Sequence, residues 1–116
     1  MHRDLKLANI FVNFPDRDFG TPPPDMDRMA FLNQHLKKIN LLEERIEIKI
    51  GDLGFAKEVD IEDVTKTQCG TPLSMAPEVL KGRYYNHKAD VWSLGVVSFE
   101  LLAGFTPFTG TSKEDL

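Results

Sequence analysis

The chain has 116 residues, enough for one domain and too few for two, and a domain of this size buries roughly two-thirds of the surface its unfolded chain exposes. An apolar share of 41%, a charged share of 28%, 7 Pro and 8 Gly describe a globular sequence and exclude disordered, collagen-like and disulfide-scaffold classes. Fourteen Lys and Arg against 18 Asp and Glu give a net charge of −4, which supplies no broad basic footprint for nucleic acid.

In chain order, 1–8 reads as a polar loop, and 9–14 (Asn-Ile-Phe-Val-Asn-Phe) as a short strand of β-branched and aromatic residues. The stretch 15–25, with four prolines and three aspartates, is a surface loop. From 25 to about 42, Met29, Leu32, Leu36 and Ile39 fall three or four apart, which predicts a helix with one apolar face, capped by Asp25 or Asp27. Residues 45–51 alternate as a half-buried strand with Ile46, Ile48 and Ile50 on one side.

The stretch 55–75 reads as a long loop, acidic in its middle, and long structureless loops in compact domains are usually functional. A helical turn is expected over 77–81. Asp90 then opens a helix over 91–103 that is apolar on nearly all sides, with Trp92, Phe99, Leu101 and Leu102 expected in the core and Gly104 and Pro107 as the stop. Ser93, Ser98 and Glu100 interrupt that stretch, which is too short to span a bilayer. Cys69, the one cysteine, has no internal disulfide partner, and the charged start of the chain lacks a secretory core, so cytoplasm is the default compartment.

The chemistry gathers around the two strands. His-Arg-Asp-Leu-Lys-x-x-Asn precedes the first and Asp-x-Gly follows the second, so a hairpin sets Asn9 and Asp52 at neighbouring strand boundaries, where an amide oxygen and a carboxylate can share a divalent ion. Asp4 would face the same spot and orient a hydroxyl nucleophile as general base, and Lys6 would add positive charge for a transferring phosphoryl group. Those are the parts that phosphoryl transfer needs. No His/Cys spacing suggests zinc. His2 reads as a packed, hydrogen-bonded residue, and His35 and His87 as solvent-facing.

These residues resemble eukaryotic protein kinases. The run 2–9 resembles the catalytic loop, Asp52-Leu53-Gly54 the metal-binding Asp-Phe-Gly motif, and Ala76-Pro77-Glu78 the end of the activation segment. Gly70-Thr71-Pro72 and 88–96 (Lys-Ala-Asp-Val-Trp-Ser-Leu-Gly-Val) follow in family order. The resemblance implies an α+β, protein-kinase-like fold: a mostly helical piece of the C-terminal large lobe, with a short β-hairpin at the catalytic loop. It implies that Asp4 is the catalytic base, that Lys6 contacts phosphate, that Asn9 and Asp52 hold Mg²⁺ with ATP, and that the Thr71 hydroxyl contacts the catalytic Asp and Lys. Lys6 and Gly70-Thr71 resemble the Ser/Thr-specific branch. The 70–78 and 90–95 motifs are similar to the unc-51-like, autophagy-initiating kinases and to the calmodulin-dependent group. Arg3 resembles the arginine that pairs with a phosphorylated activation loop, with Thr67 as first-choice phosphosite and Thr65 as second. Glu78 would pair with an arginine of later helices, and Asp90 would hold the catalytic-loop backbone. His2, Gly54 and Trp92 belong to the same structural motifs.

Asp18-Phe19-Gly20 is a literal Asp-Phe-Gly, but it follows a charged loop and no strand, so it is set aside as the metal motif. Residues 15–44 lengthen the hairpin as an insertion, a Pro-rich loop plus amphipathic helix, whose closure entropy grows only logarithmically with length. A partner protein could dock on that helix. The nucleotide-holding Gly-rich loop, strand lysine and helix glutamate of a complete kinase have no counterpart in these 116 residues. The expectation is therefore a partial protein serine/threonine kinase domain over 1–116, a transferase acting on protein substrates and inactive alone. The alternative is a non-catalytic kinase-like binding or scaffold module.

Overall fold

The computed structural model describes residues 1–58, 65–66, 70–110, 112 and 115–116. Five regular elements follow in order: β1 (Ile10–Asn13), α1 (Arg28–Leu36), β2 (Glu47–Ile50), α2 (Pro77–Leu80) and α3 (Lys88–Ala103), with short 3₁₀ turns at Leu7–Asn9, Leu53–Phe55 and Pro72–Ser74. The chain divides into two compact units, Met1–Ile10 with Ile50–Leu116, and Phe11–Lys49.

β1 and β2 form a two-stranded sheet. Gly51 N donates to Asn9 O at 2.9 Å and the Asn13 amide reaches Glu47 at 3.3 Å, so the pairing runs antiparallel and Asn9 and Asp52 close its two ends on the same side. Both strands are shorter than the alternation predicts. The half-buried face expected of Ile46, Ile48 and Ile50 is not found; Ile48 and Ile50 are more than half exposed, as a two-stranded ribbon has no second layer of its own to cover it.

In the first unit the core is small: Ala76, Val79, Tyr85 and Ala89, with Met1 and Met75 packed against it. α2 starts on Pro77, whose missing N–H costs nothing at the first helical position. α3 begins at Lys88, two residues before Asp90, with Lys88 N bonded to the Asn86 side chain, and ends at Gly104 with φ 79°, the left-handed conformation that glycine takes without strain. Only Ala89, Ser93, Val96 and Val97 of this helix are buried. The expectation that Trp92, Phe99, Leu101 and Leu102 form core fails: Leu102 is 91% exposed, because the described residues supply no layer against that side of the helix. Trp92 instead stacks on Phe108, with ring centroids 5.5 Å apart and planes within 10°.

In the second unit α1 is nine residues long, half of the predicted span, because 37–44 turns away through successive short loops. Asp27 is its cap, its carboxylate accepting from Ala30 N at 3.0 Å. The helix contributes Phe31 and His35, whose rings are tilted against each other, to a chain of ring contacts running through Phe19 to Phe14 by edge-on pairs. His35, expected in solvent, is therefore half-buried, its Nδ1 2.8 Å from Phe31 O. His87, also expected in solvent, is half-buried as well. Phe19 of the literal Asp-Phe-Gly belongs to this aromatic chain, and Asp18 accepts from Gly20 N in a tight local turn. Among the described residues no helix is long and apolar enough to cross a membrane.

Candidate active site

The site is assembled from backbone outward. Asp90, in the first turn of α3, accepts hydrogen bonds from His2 N at 2.7 Å and Arg3 N at 2.8 Å, one to each carboxylate oxygen. Those two bonds hold Arg3 at φ 73°, a left-handed conformation that is unfavourable for a residue with a side chain. His2 adds two more ties: its Nδ1 accepts from Asp4 N at 3.3 Å, so the ring is the Nε2–H tautomer, and Nε2 donates to Gly51 O at 3.0 Å. The ring thereby links the 2–4 loop to the end of β2.

Held this way, the Asp4 side chain is 4% exposed and meets three donors. Thr71 Oγ1 donates to Asp4 Oδ1 at 2.9 Å, Lys6 Nζ donates to Oδ2 at 2.9 Å, and the Asn9 amide lies 3.3 Å from Oδ2 and 2.9 Å from the Asp4 carbonyl. Lys6 Nζ also reaches Thr71 Oγ1 at 2.8 Å, closing a triangle of Asp4, Lys6 and Thr71. A carboxylate has about four acceptor sites, and a backbone hydrogen bond from Thr71 adds to these side-chain bonds. Burial pushes the Asp4 carboxyl up, but the hydrogen bonds from Lys6 and Thr71, together with the Lys6 charge, outweigh it and hold the group below its ordinary value. Asp4 is ionised at neutral pH.

Asp52 follows β2 directly in the left-handed conformation, φ 59°, with its Oδ1 accepting from Gly54 N at 3.3 Å; the carboxylate is otherwise turned to solvent. Asn9 is buried, and since its NH₂ is committed to Asp4, the amide oxygen is the end available to a cation. One carboxylate and one amide oxygen form a hard, oxygen-only donor set. That set would suit Mg²⁺, a hard cation usually held by one or two protein oxygens together with phosphate and water.

Gly70 carries Thr71 to the site. Its φ is 106°, and a Cβ there would stand 2.4 Å from Arg3 O and 3.4 Å from Asp4 Oδ1, so only glycine lets the 70–71 backbone approach the 3–4 loop. Arg3 itself donates from Nε to Phe55 O. Thr65 is 5% exposed and pairs with Tyr85 through two backbone bonds, 2.8 and 2.9 Å, so its modification would require that bridge to open. Thr67 lies outside the described residues, as does Cys69. Glu78, in α2, is half-buried.

Two features escape a sequence reading. A cavity of about 200 Å³ opens beside Lys6 and Thr71, floored by Leu7, Leu73, Val96 and Val97, with Glu100 on its wall. Ser93 is buried and donates to Ser74 O at 2.7 Å. The only signal for either was that Ser93 and Glu100 are polar residues in an apolar helix.

A family profile described as protein kinase domain matches residues 26–116. Serine/threonine-protein kinase ATG1b of Arabidopsis thaliana is 42% identical over 116 residues, 100% of this chain and 12% of that protein. Human serine/threonine-protein kinase ULK1 is 34% identical over the whole chain, 9% of its own length. The cAMP-dependent protein kinase catalytic subunit of Arthrobotrys oligospora is 51% identical over 109 residues, 93% of this chain and 21% of that protein.

The chain belongs to the protein kinase family, and its helices with one small two-stranded sheet fit the kinase-like fold. Its relatives are serine/threonine kinases and include ATG1 and ULK1 kinases, the autophagy group that the 70–78 and 90–95 motifs resemble. The chain spans between about a tenth and a fifth of the length of these relatives.

Proposed function

We propose that residues 1–116 carry the catalytic half of a protein serine/threonine kinase site, within the large lobe of the domain, and that 15–44 is an insertion in its hairpin. The observation that supports this reading is the meeting of Asp4, Lys6, Asn9 and Thr71, residues up to 67 positions apart, on one nearly buried carboxylate. Asp4 presents its ionised carboxylate to the hydroxyl of a protein Ser or Thr and orients that oxygen toward the phosphorus. With a depressed pKa it is a weak base, which suffices where the transition state is loose and the proton leaves late. Lys6, shared between Asp4 and Thr71, presents its charge to the transferring phosphoryl group.

Asn9 and Asp52 would hold Mg²⁺, which would neutralise phosphate charge on ATP, the phosphoryl donor. Nucleotide-holding elements are required from outside residues 1–116, and phosphoryl transfer depends on them. Arg3 is the cation for a phosphate on the 65–69 segment, and Thr67 is the residue we assign to receive it.

A second reading, a kinase-like binding module that works without ATP, draws on the apolar side of α3 and the residues after it, where Leu101, Leu102 and Phe105 are exposed. Initial rates with the full-length protein, Mg-ATP and paired Ser, Thr and Tyr peptides separate the two. Phosphate should pass to Ser and Thr, and EDTA should stop it. A folded protein that transfers no phosphate to either residue would overturn the kinase reading.

A further inference from the structure

α3 holds the site from both sides with one face. Asp90 and Ser93 are three residues apart, hence neighbours on the helix surface. Asp90 fixes the loop that carries Asp4, through His2 N and Arg3 N. Ser93 fixes the other side. Its hydroxyl has one proton and two acceptors in reach, Ser74 O at 2.7 Å and Ala89 O at 3.2 Å, and the shorter contact ties the helix to the turn at Pro72–Ser74. Ser74 passes the constraint on, because its N–H and its hydroxyl both donate to Thr71 O at 3.1 Å. Thr71 then places its own hydroxyl 2.9 Å from Asp4.

We propose that Ser93 is a positioning residue for phosphoryl transfer: its bond to the Ser74 carbonyl sets where the Thr71 hydroxyl stands over Asp4. The inference rests on the kinase reading for its catalytic consequence and on the geometry alone for its structural one. Both Ser93 and Ser74 are buried, so water does not replace the missing donor in a Ser93→Ala protein, and the turn that carries Thr71 loses its tie to the helix. Ser93 touches neither substrate nor nucleotide in this scheme. Its loss should act on the rate of the chemical step and spare nucleotide binding.

The test is a double-mutant cycle in the full-length protein with Thr71→Val. Ser93→Ala should lower kcat about tenfold with KM for ATP unchanged, and should add no further loss in the Thr71→Val background. Equal loss in both backgrounds would show that Ser93 does not act through Thr71 and would overturn the proposal. If Ser93→Ala does not fold, Ser93→Cys, nearly the same size with a weaker donor, carries the same comparison. Amide exchange at Ser74 and Met75 is read on the same proteins and needs no activity: faster exchange in the Ser93 variant supports the tie, and unchanged exchange refutes it. A wild-type protein without phosphotransfer would refute the kinase reading and leave the exchange comparison to decide on Ser93.

Discussion

The two compact units of this chain are built on opposite principles. In the first, bonds join residues far apart in sequence: Asp90 to 2–3, Thr71 to Asp4, Ser93 to Ser74, and every buried residue described lies here. In the second, 11–49, the side-chain bonds lie at the surface, some local, as in the Asp27 cap, the Asp18 turn and Arg45 to Glu47, and two spanning 27 and 34 positions, Arg17 to Glu44 and Asn13 to Glu47. Both units contain an Asp-x-Gly, yet only Asp52 follows a strand and stands beside the Asn9 end of the hairpin. Motif letters carry chemistry only where long-range bonds fix their backbone.

That contrast can be broken most severely at Asp4. Asp4→Asn keeps the shape but removes the charge that accepts from Lys6 and Thr71, and should cut phosphate transfer by about 10²–10⁴. Its pH behaviour follows from the lowered pKa. The folded value lies below the unfolded one, so the ionised network stabilises the fold above the ordinary carboxylate value of 3.8 and is lost as pH falls through the depressed folded value. Asp4→Asn should therefore lose stability at neutral pH and unfold with a flatter acid limb than wild type in an acid titration followed by circular dichroism.

Gly70→Ala comes next. The added Cβ meets the Arg3 carbonyl at 2.4 Å on a residue with positive φ, so the 70–71 backbone must withdraw and Thr71 with it. Strain of this kind costs about 1–3 kcal/mol, and the loss of activity should exceed what the shift in denaturation midpoint accounts for. Asp90→Ala leaves the His2 and Arg3 amides without their charged partner and should cost about 3 kcal/mol or more, measured by urea unfolding. The second unit should respond weakly. Asp27→Ala should cost the α1 cap about 1 kcal/mol, seen as faster amide exchange within Arg28–Leu36, with phosphate transfer unchanged. Arg17→Ala removes one partner of a surface ion pair whose arginine is about half exposed, and should leave both stability and rate at wild-type values.

The site was more legible than the packing. The run 2–9 and the Asp52 motif are contiguous patterns, and a pattern names its residues even when their neighbours in space are unknown. The identity of the Asp4 contacts could be read only through the family resemblance, since no local rule brings Thr71 to Asp4 across 67 positions. Periodicity placed α3 and its glycine stop, because a strongly apolar helix ended by Gly is the clearest of local signals. It misjudged burial, since hydrophobic spacing says which side of an element is apolar and not whether a layer covers it; Leu102 and Ile48 show the difference. It also overran α1, where the apolar spacing continues past Leu36 but the backbone does not. Ser93 was visible only as a polar interruption, and its role needed the position of a carbonyl 19 residues earlier.

The most direct measurement sets the two Asp-x-Gly motifs against each other: Mg-dependent phosphate transfer by full-length Asp52→Ala and Asp18→Ala proteins, each confirmed as folded. If the first unit holds the chemistry, Asp52→Ala loses transfer and Asp18→Ala keeps the wild-type rate. Loss of transfer in Asp18→Ala with retention in Asp52→Ala would contradict the account.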